Sequence, residues 1–151
     1  MQIKFNEQET QTQQTSLEEE LELDEEYQFI LNMHQTLSLV DPISCPSVAV
    51  IESWKQKYKN IYISTVVEPN KYFVWRAIRR GEYKKLEGEG AFEKQSTMHE
   101  VLVEQCLLYP TSTPTWRLTQ PAGVVDTLGK QIAYHSGWIS DQEAFAAIRV
   151  I

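Results

Sequence analysis

The stretch Ile61-Tyr62-Ile63-Ser64-Thr65-Val66-Val67-Glu68-Pro69-Asn70-Lys71-Tyr72-Phe73-Val74-Trp75-Arg76-Ala77-Ile78 decides the fold class. Its first seven residues and the run from Lys71 onward are dense in β-branched and aromatic side chains, which fit a pleated surface and lose rotamer freedom in a helix. Glu68-Pro69-Asn70 between them is turn chemistry, because Pro presets one dihedral and Asn tolerates left-handed backbone. A β-hairpin is the predicted result. Period-two alternation puts Ile61, Ile63, Thr65 and Val67 on one face, with Tyr62, Ser64 and Val66 on the other.

On the N-terminal side of the hairpin, the spacing predicts a helix from Ser47 to about Asn60, with Ile51, Trp54 and Tyr58 on one face and Lys55, Lys57 and Lys59 toward solvent. Asp41-Pro42 and Cys45-Pro46 enclose a loop before it, since each proline restricts its predecessor and blocks helix continuation. Further back, Ser16 and Glu19 have capping-box spacing, and Glu18 to Glu20 suit the positive end of a helix dipole. Leu17, Leu21, Tyr27, Ile30, Leu31 and Leu37 then recur at spacings near three to four, so residues 16–40 read as an acidic amphipathic helical arm. Residues 1–15 hold only Ile3 and Phe5 as large apolar groups among Gln, Thr, Glu and Asn, the composition of a flexible polar leader.

On the C-terminal side, Glu82 to Leu86 predicts a short helix stopped by Gly88-Glu89-Gly90. Thr97 with Glu100 caps a helix predicted to run through Met98, Val101, Leu102 and Cys106 as far as Pro110. Residues 110–119 read as a loop. Pro121 then suits a helix start, Val124, Val125, Leu128, Ile132 and Tyr134 supply its apolar positions, and Gly137 its C-terminal cap. Ser140 with Glu143 caps a last short helix over Ala144 to Ile148. Strands and helices are grouped rather than alternating, which selects an α+β class. Residues 47–151 are expected to form one small helical domain with a β-hairpin, preceded by the acidic arm.

A chain of 151 residues with 42% apolar content can bury one real core and is short for two. No apolar run approaches the roughly 18 residues of a membrane span. The polar, acidic first residues are the reverse of a secretory signal, so a cytoplasmic location is expected. The net charge of −7 conceals an asymmetry: residues 1–41 hold ten acids and one base, and the remainder holds eleven acids and thirteen bases. Such a split suits either a solvated leader or contact with a basic partner surface, and an acidic protein is a poor general binder of nucleic acid.

The residues offer little chemistry. His34, His99 and His135 are isolated from one another and from Cys45 and Cys106, so no metal-ligand spacing exists. Cys106 lies inside the apolar run Val101 to Tyr109, where a thiol is ordinarily inert. Gly88-Glu89-Gly90 lacks the frame of a phosphate-binding loop, and its flanking glutamates would repel phosphate. No cofactor is expected, nor an enzymatic activity. Two segments invite partners instead. The arm supplies Leu17, Leu21, Tyr27, Ile30 and Leu31, whose stripe packs either on its own domain or on another protein. The hairpin end supplies Trp75, Arg76, Arg79 and Arg80, which with Tyr72, Phe73, Lys84 and Lys85 also resemble a nucleic-acid surface of stacking rings and phosphate-neutralising cations. Glu82, Glu87 and Glu89 oppose that second reading.

The succession Ile51-Glu52-Ser53-Trp54-Lys55, Tyr72-Phe73-Val74-Trp75-Arg76 and Arg80-Gly81-Glu82-Tyr83-Lys84-Lys85-Leu86 resembles small bacteriophage tail-assembly chaperones and T4-like baseplate hub proteins. Glu100 to Pro110, Pro121-Ala122-Gly123 and Ser136-Gly137-Trp138 follow in the same order. The resemblance covers residues 47–139 and rests on packing residues rather than on a catalytic signature. It implies a non-enzymatic protein of a contractile-tailed phage. As a chaperone it would hold another tail protein, such as the tape-measure protein, in the host cytoplasm; as a baseplate component it would remain in the virion.

Overall fold

The computed structural model describes residues 7–93, 97–138, 140–146 and 148–150, with the side chains of 7–15 and 21–23 outside that description. Two compact units divide the chain, Met1–Glu52 and Ser53–Ile151.

The first unit is dominated by one helix, α1, Glu7–Val40. It begins well before Ser16, so the Ser16/Glu19 pair lies within the helix and does not start it, and residues 7–15 are helical. Gln and Glu are good helix formers and the run contains neither Gly nor Pro, so nothing stops propagation once the helix has nucleated. Residues 1–6 of the expected leader lie outside the described residues. Ile30, Met33 and Leu37 are buried at spacings of three and four. Among the described side chains, the buried apolar stripe is confined to the last third of α1.

Beyond α1, Asp41 organises the loop: its Oδ1 accepts the Ser44 N–H at 3.0 Å, and its backbone oxygen accepts the Cys45 N–H at 3.1 Å. Ser47 Oγ accepts the Val50 N–H at 3.3 Å, capping α2, Val48–Tyr58, which starts in the first unit and ends in the second. Lys59 takes a left-handed φ of 63° at its exit.

In the second unit the hairpin forms as expected. Strands β1, Ile61–Thr65, and β2, Tyr72–Arg76, pair antiparallel with Tyr62 opposite Trp75 and Ile63 opposite Val74. Val67 was expected to continue β1. It instead has φ 66° and is flanked by a Glu68 N–H to Val66 O bond of 2.7 Å, a strained tight turn for a β-branched residue. Helix α3, Arg80–Gly88, follows and ends before Gly90, whose φ is 72°.

Helix α4, Met98–Cys106, is capped by Thr97, whose hydroxyl accepts the Glu100 N–H. It stops four residues before Pro110, and Leu107–Tyr109 form β3. Pairing with the open edge of β2 gives the order β1-β2-β3 and satisfies backbone groups that a longer helix would have satisfied internally. The expected loop at 110–119 also contains a short helix, α5, Pro114–Thr119, with Thr113 as cap and Pro114 in its first turn.

Helix α6, Ala122–His135, buries Val124, Val125, Leu128 and Ile132, while Tyr134 faces outward. Its end is a Schellman motif: Trp138 N–H bonds to Ala133 O at 3.0 Å, Gly137 N–H bonds to Tyr134 O at 3.1 Å, and Gly137 has φ 104°. Helix α7, Asp141–Ala146, is capped by Ser140, whose Oγ accepts the Glu143 N–H.

One core holds this unit together. Val66, Phe73 and Trp75 from the hairpin meet Leu102, Val103 and Cys106 of α4 and Val124, Leu128 and Ile132 of α6. Helices α4 and α6 come close at Gly129, where an added Cβ would stand 2.7 Å from the His99 backbone.

Candidate functional site

At the end of β2 the chain turns into α3, and this junction builds a cleft of about 490 Å³ lined by Lys57, Tyr58, Arg76, Ala77, Arg79, Glu82 and Gln105. Its floor is an ion pair. Arg76 donates through one terminal nitrogen to Glu82 Oε1 at 3.0 Å and through the other to Oε2 at 2.8 Å, the bidentate geometry that a planar guanidinium favours. The same two nitrogens also donate to Ala77 O at 3.2 Å and Gln105 O at 3.3 Å. Above the guanidinium lies the Tyr58 ring, 4.5 Å from its carbon, a cation–π contact. The side chain of Arg76 is only 6% exposed, that of Glu82 is 36% exposed, and Arg76 Nε is buried without an acceptor.

Burial alone would pull the Arg76 pKa down, but the hydrogen bonds and charge of Glu82 prevail and raise it. For Glu82, burial pushes upward, while Arg76 and the backbone N–H of Arg79 outweigh it and hold the carboxyl below its ordinary range. Glu82 is thus an ionised acceptor and Arg76 a locked cation. Lys57 and Arg79, both exposed, stand at the same cleft with no carboxylate within 4 Å among the described residues. The arrangement is suited to receiving an anionic group at its mouth.

A second depression, about 440 Å³, lies between β1 and α6. Tyr62 stacks on Trp75 with centroids 4.7 Å apart, and His135 lies 4.6 Å from the Tyr62 ring. Trp75 Nε1–H donates to Ser64 Oγ at 2.8 Å, and Ser64 donates to Gln131 Oε1 at 2.7 Å. These polar groups satisfy one another, so the rings and the hydrogen-bond chain serve to clamp α6 onto the sheet.

The residues singled out from sequence divide sharply. Leu17 and Tyr27 are exposed, Leu31 is half-buried, and Leu21 lies outside the described side chains. Ile30 is buried, which removes it from any contact surface. Trp75, at 2% exposure, is equally unavailable for stacking on a base or a partner, because cross-strand pairing turns it into the core. Arg76 is buried and engaged by Glu82, leaving Arg79 and Arg80 as the exposed members of that set. Sequence reasoning missed Tyr58, Lys57 and Gln105 as neighbours of Arg76. They come from α2 and α4, far from β2 in the chain, so no spacing could announce them.

Cys106 is fully buried, and burial pushes its thiol up to about 12. His135 is occupied with the rings of Tyr62 and Trp75, and His99 packs at Gly129. Among the described residues no group of three His, Cys, Asp or Glu side chains could hold a metal ion, and no helix is long and apolar enough to cross a membrane. No family model, curated protein or solved structure matches the chain.

Proposed function

We propose that this chain is a non-enzymatic protein that works through protein–protein contacts, with the acidic helix α1 as its contacting element. One observation carries the reading. Every described side chain from Ser16 to Gln28 is exposed, including the apolar Leu17 and Tyr27. The C-terminal third of α1 is anchored by Ile30, Met33 and Leu37, while these exposed turns before it offer their side chains outward, where a partner surface would repay their ordering.

The resemblance of residues 47–139 to phage tail-assembly chaperones and baseplate hub proteins supports a setting for that contact: tail or baseplate morphogenesis, in the host cytoplasm or the finished virion. Deletion of residues 1–28 tests the reading while sparing the buried Ile30, Met33 and Leu37. The truncated protein should stay folded by circular dichroism and lose co-purification with its tail partner from infected cells. Retained co-purification would sink the docking role. Mass spectrometry of purified virions separates the two settings, because only a baseplate component stays with the particle.

A further inference from the structure

The acidic helix and the Arg76 cleft carry opposite charge on the same molecule. Glu18, Glu19, Glu20, Asp24, Glu25 and Glu26 are all exposed on α1, and none forms an ion pair among the described residues. No Lys or Arg occurs between Glu7 and Asp41 to neutralise them. The cleft presents the converse. Its three cations face the single carboxylate of Glu82, which Arg76 already occupies on both oxygens, so Lys57 and Arg79 are uncompensated. Behind them Arg76 is more than nine-tenths buried and retains a donor, Nε, with no acceptor. Two exposed cations with no carboxylate of their own, set around a guanidinium already locked by Glu82, make the mouth of the cleft a receptor for a further carboxylate.

We infer that the cleft receives the acidic helix of a second copy of this chain, and that the protein self-associates by exchanging these helices. The inference rests on the reading of α1 as the contacting element and names its first partner. Charge complementarity selects the occupant. Every molecule that carries the basic cleft also carries the acidic helix at equal concentration, so any other acidic partner must displace it. A helix is about 10 Å across, so one glutamate enters the cleft while the helix lies along its mouth. At 34 residues α1 spans roughly 50 Å, long enough to reach across to a second molecule. Reciprocal exchange uses both clefts and closes the pair, whereas one-way exchange would leave an open chain.

Sedimentation of the full chain tests this, because exposed ion pairs are screened by salt. Between about 50 mM and about 500 mM NaCl the dimer dissociation constant should rise at least about tenfold. Lys57→Glu with Arg79→Glu should give a monomer, as should Glu18→Lys, Glu19→Lys, Glu25→Lys and Glu26→Lys together. The decisive arm is their mixture. The first variant's acidic helix fits the second's basic cleft, and the second's basic helix fits the first's acidic cleft, so mixing should restore a dimer that neither forms alone. Restoration cannot come from misfolded protein. A monomeric wild-type chain at low salt, a monomer in which the helix crosslinks to its own cleft, or a mixture that stays monomeric would each overturn the inference. A monomer whose tail partner is still lost on deleting residues 1–28 would refute self-association alone. A dimer whose tail partner co-purifies without the helix would refute the tail-docking role alone.

Discussion

Arg76 ends a strand whose text, Tyr-Phe-Val-Trp-Arg, reads as apolar residues followed by a solvent-facing cation. The structure buries that cation and gives it Glu82, six residues onward at a distance that no helix or strand period marks. The two partners are unequally buried, which makes their removal unequal. Glu82→Gln leaves a buried charge without its counterion and should cost about 2 kcal/mol, below the roughly 3–5 kcal/mol of a fully buried pair because water reaches Glu82. Arg76→Met leaves a carboxylate that water can solvate and a volume that remains filled, for about 1 kcal/mol. Chemical denaturation of the two variants should therefore rank the loss of the exposed partner as the costlier. The pH dependence follows from the depressed carboxyl. Because Glu82 titrates below its ordinary 4.5 when folded, its contribution is present above that value and is lost as pH falls through the lower folded value. Denaturation between pH 5 and pH 2 should show a shallower loss of stability in Glu82→Gln than in the wild type; equal slopes would mean the pair does not govern that range.

The elements were legible where one local signal acted alone. The hairpin was fixed by β-branched density around Glu68-Pro69-Asn70, and the caps at Ser47, Thr97, Ser140 and Gly137 each stand where their local chemistry put them. Elements failed where two structures compete for one text. Val101 to Tyr109 is apolar except for Glu104 and Gln105 and suits a helix or a strand; the free edge of β2, invisible in the sequence, draws Leu107–Tyr109 out of α4. Ser16 and Glu19 mark a helix start only if what precedes is not helical, and Gln and Glu gave no such stop. The cleft was the least legible feature, since Tyr58, Arg76, Glu82 and Gln105 meet only after α2, β2, α3 and α4 have packed. Packing also sorts two glycines of α6 that look alike in sequence. Gly129→Ala would drive a methyl into His99 and force α4 and α6 apart, at a cost of about 2–3 kcal/mol that its better helix propensity does not offset. Gly123→Ala meets nothing within 4 Å and should be stabilising by up to about 1 kcal/mol through lost freedom of the unfolded chain. Thermal unfolding should move in opposite directions for the two; a neutral Gly129→Ala would mean the helices are less tightly apposed.

At the scale of the whole molecule, charge is divided between parts that do different work, and that division governs how the molecule behaves in bulk. Residues 1–28 hold nine acids and one base, so their removal takes the net charge of −7 to +1. The described side chains of that segment, those of 16–20 and 24–28, are all exposed, so none of them is lost from the core. Proteins are least soluble where net charge vanishes, since self-repulsion then fails to keep molecules apart. The full chain, with its isoelectric point near 5.0, should show its solubility minimum in that mildly acidic range and dissolve freely at neutral pH. The truncated chain should be least soluble above pH 7. Folding would be unchanged, so the two proteins would share near-ultraviolet circular dichroism while their precipitation profiles separate by more than about two pH units. The helix would then act in two ways that one measurement can part: its charge keeps the body dispersed, and its exposed face offers the contact. Scrambling residues 7–28 at constant composition preserves the first and destroys the second. A scrambled chain that keeps the wild-type solubility profile but loses its partner would assign the contact to the order of residues, whereas one that keeps both would reduce the helix to a source of charge.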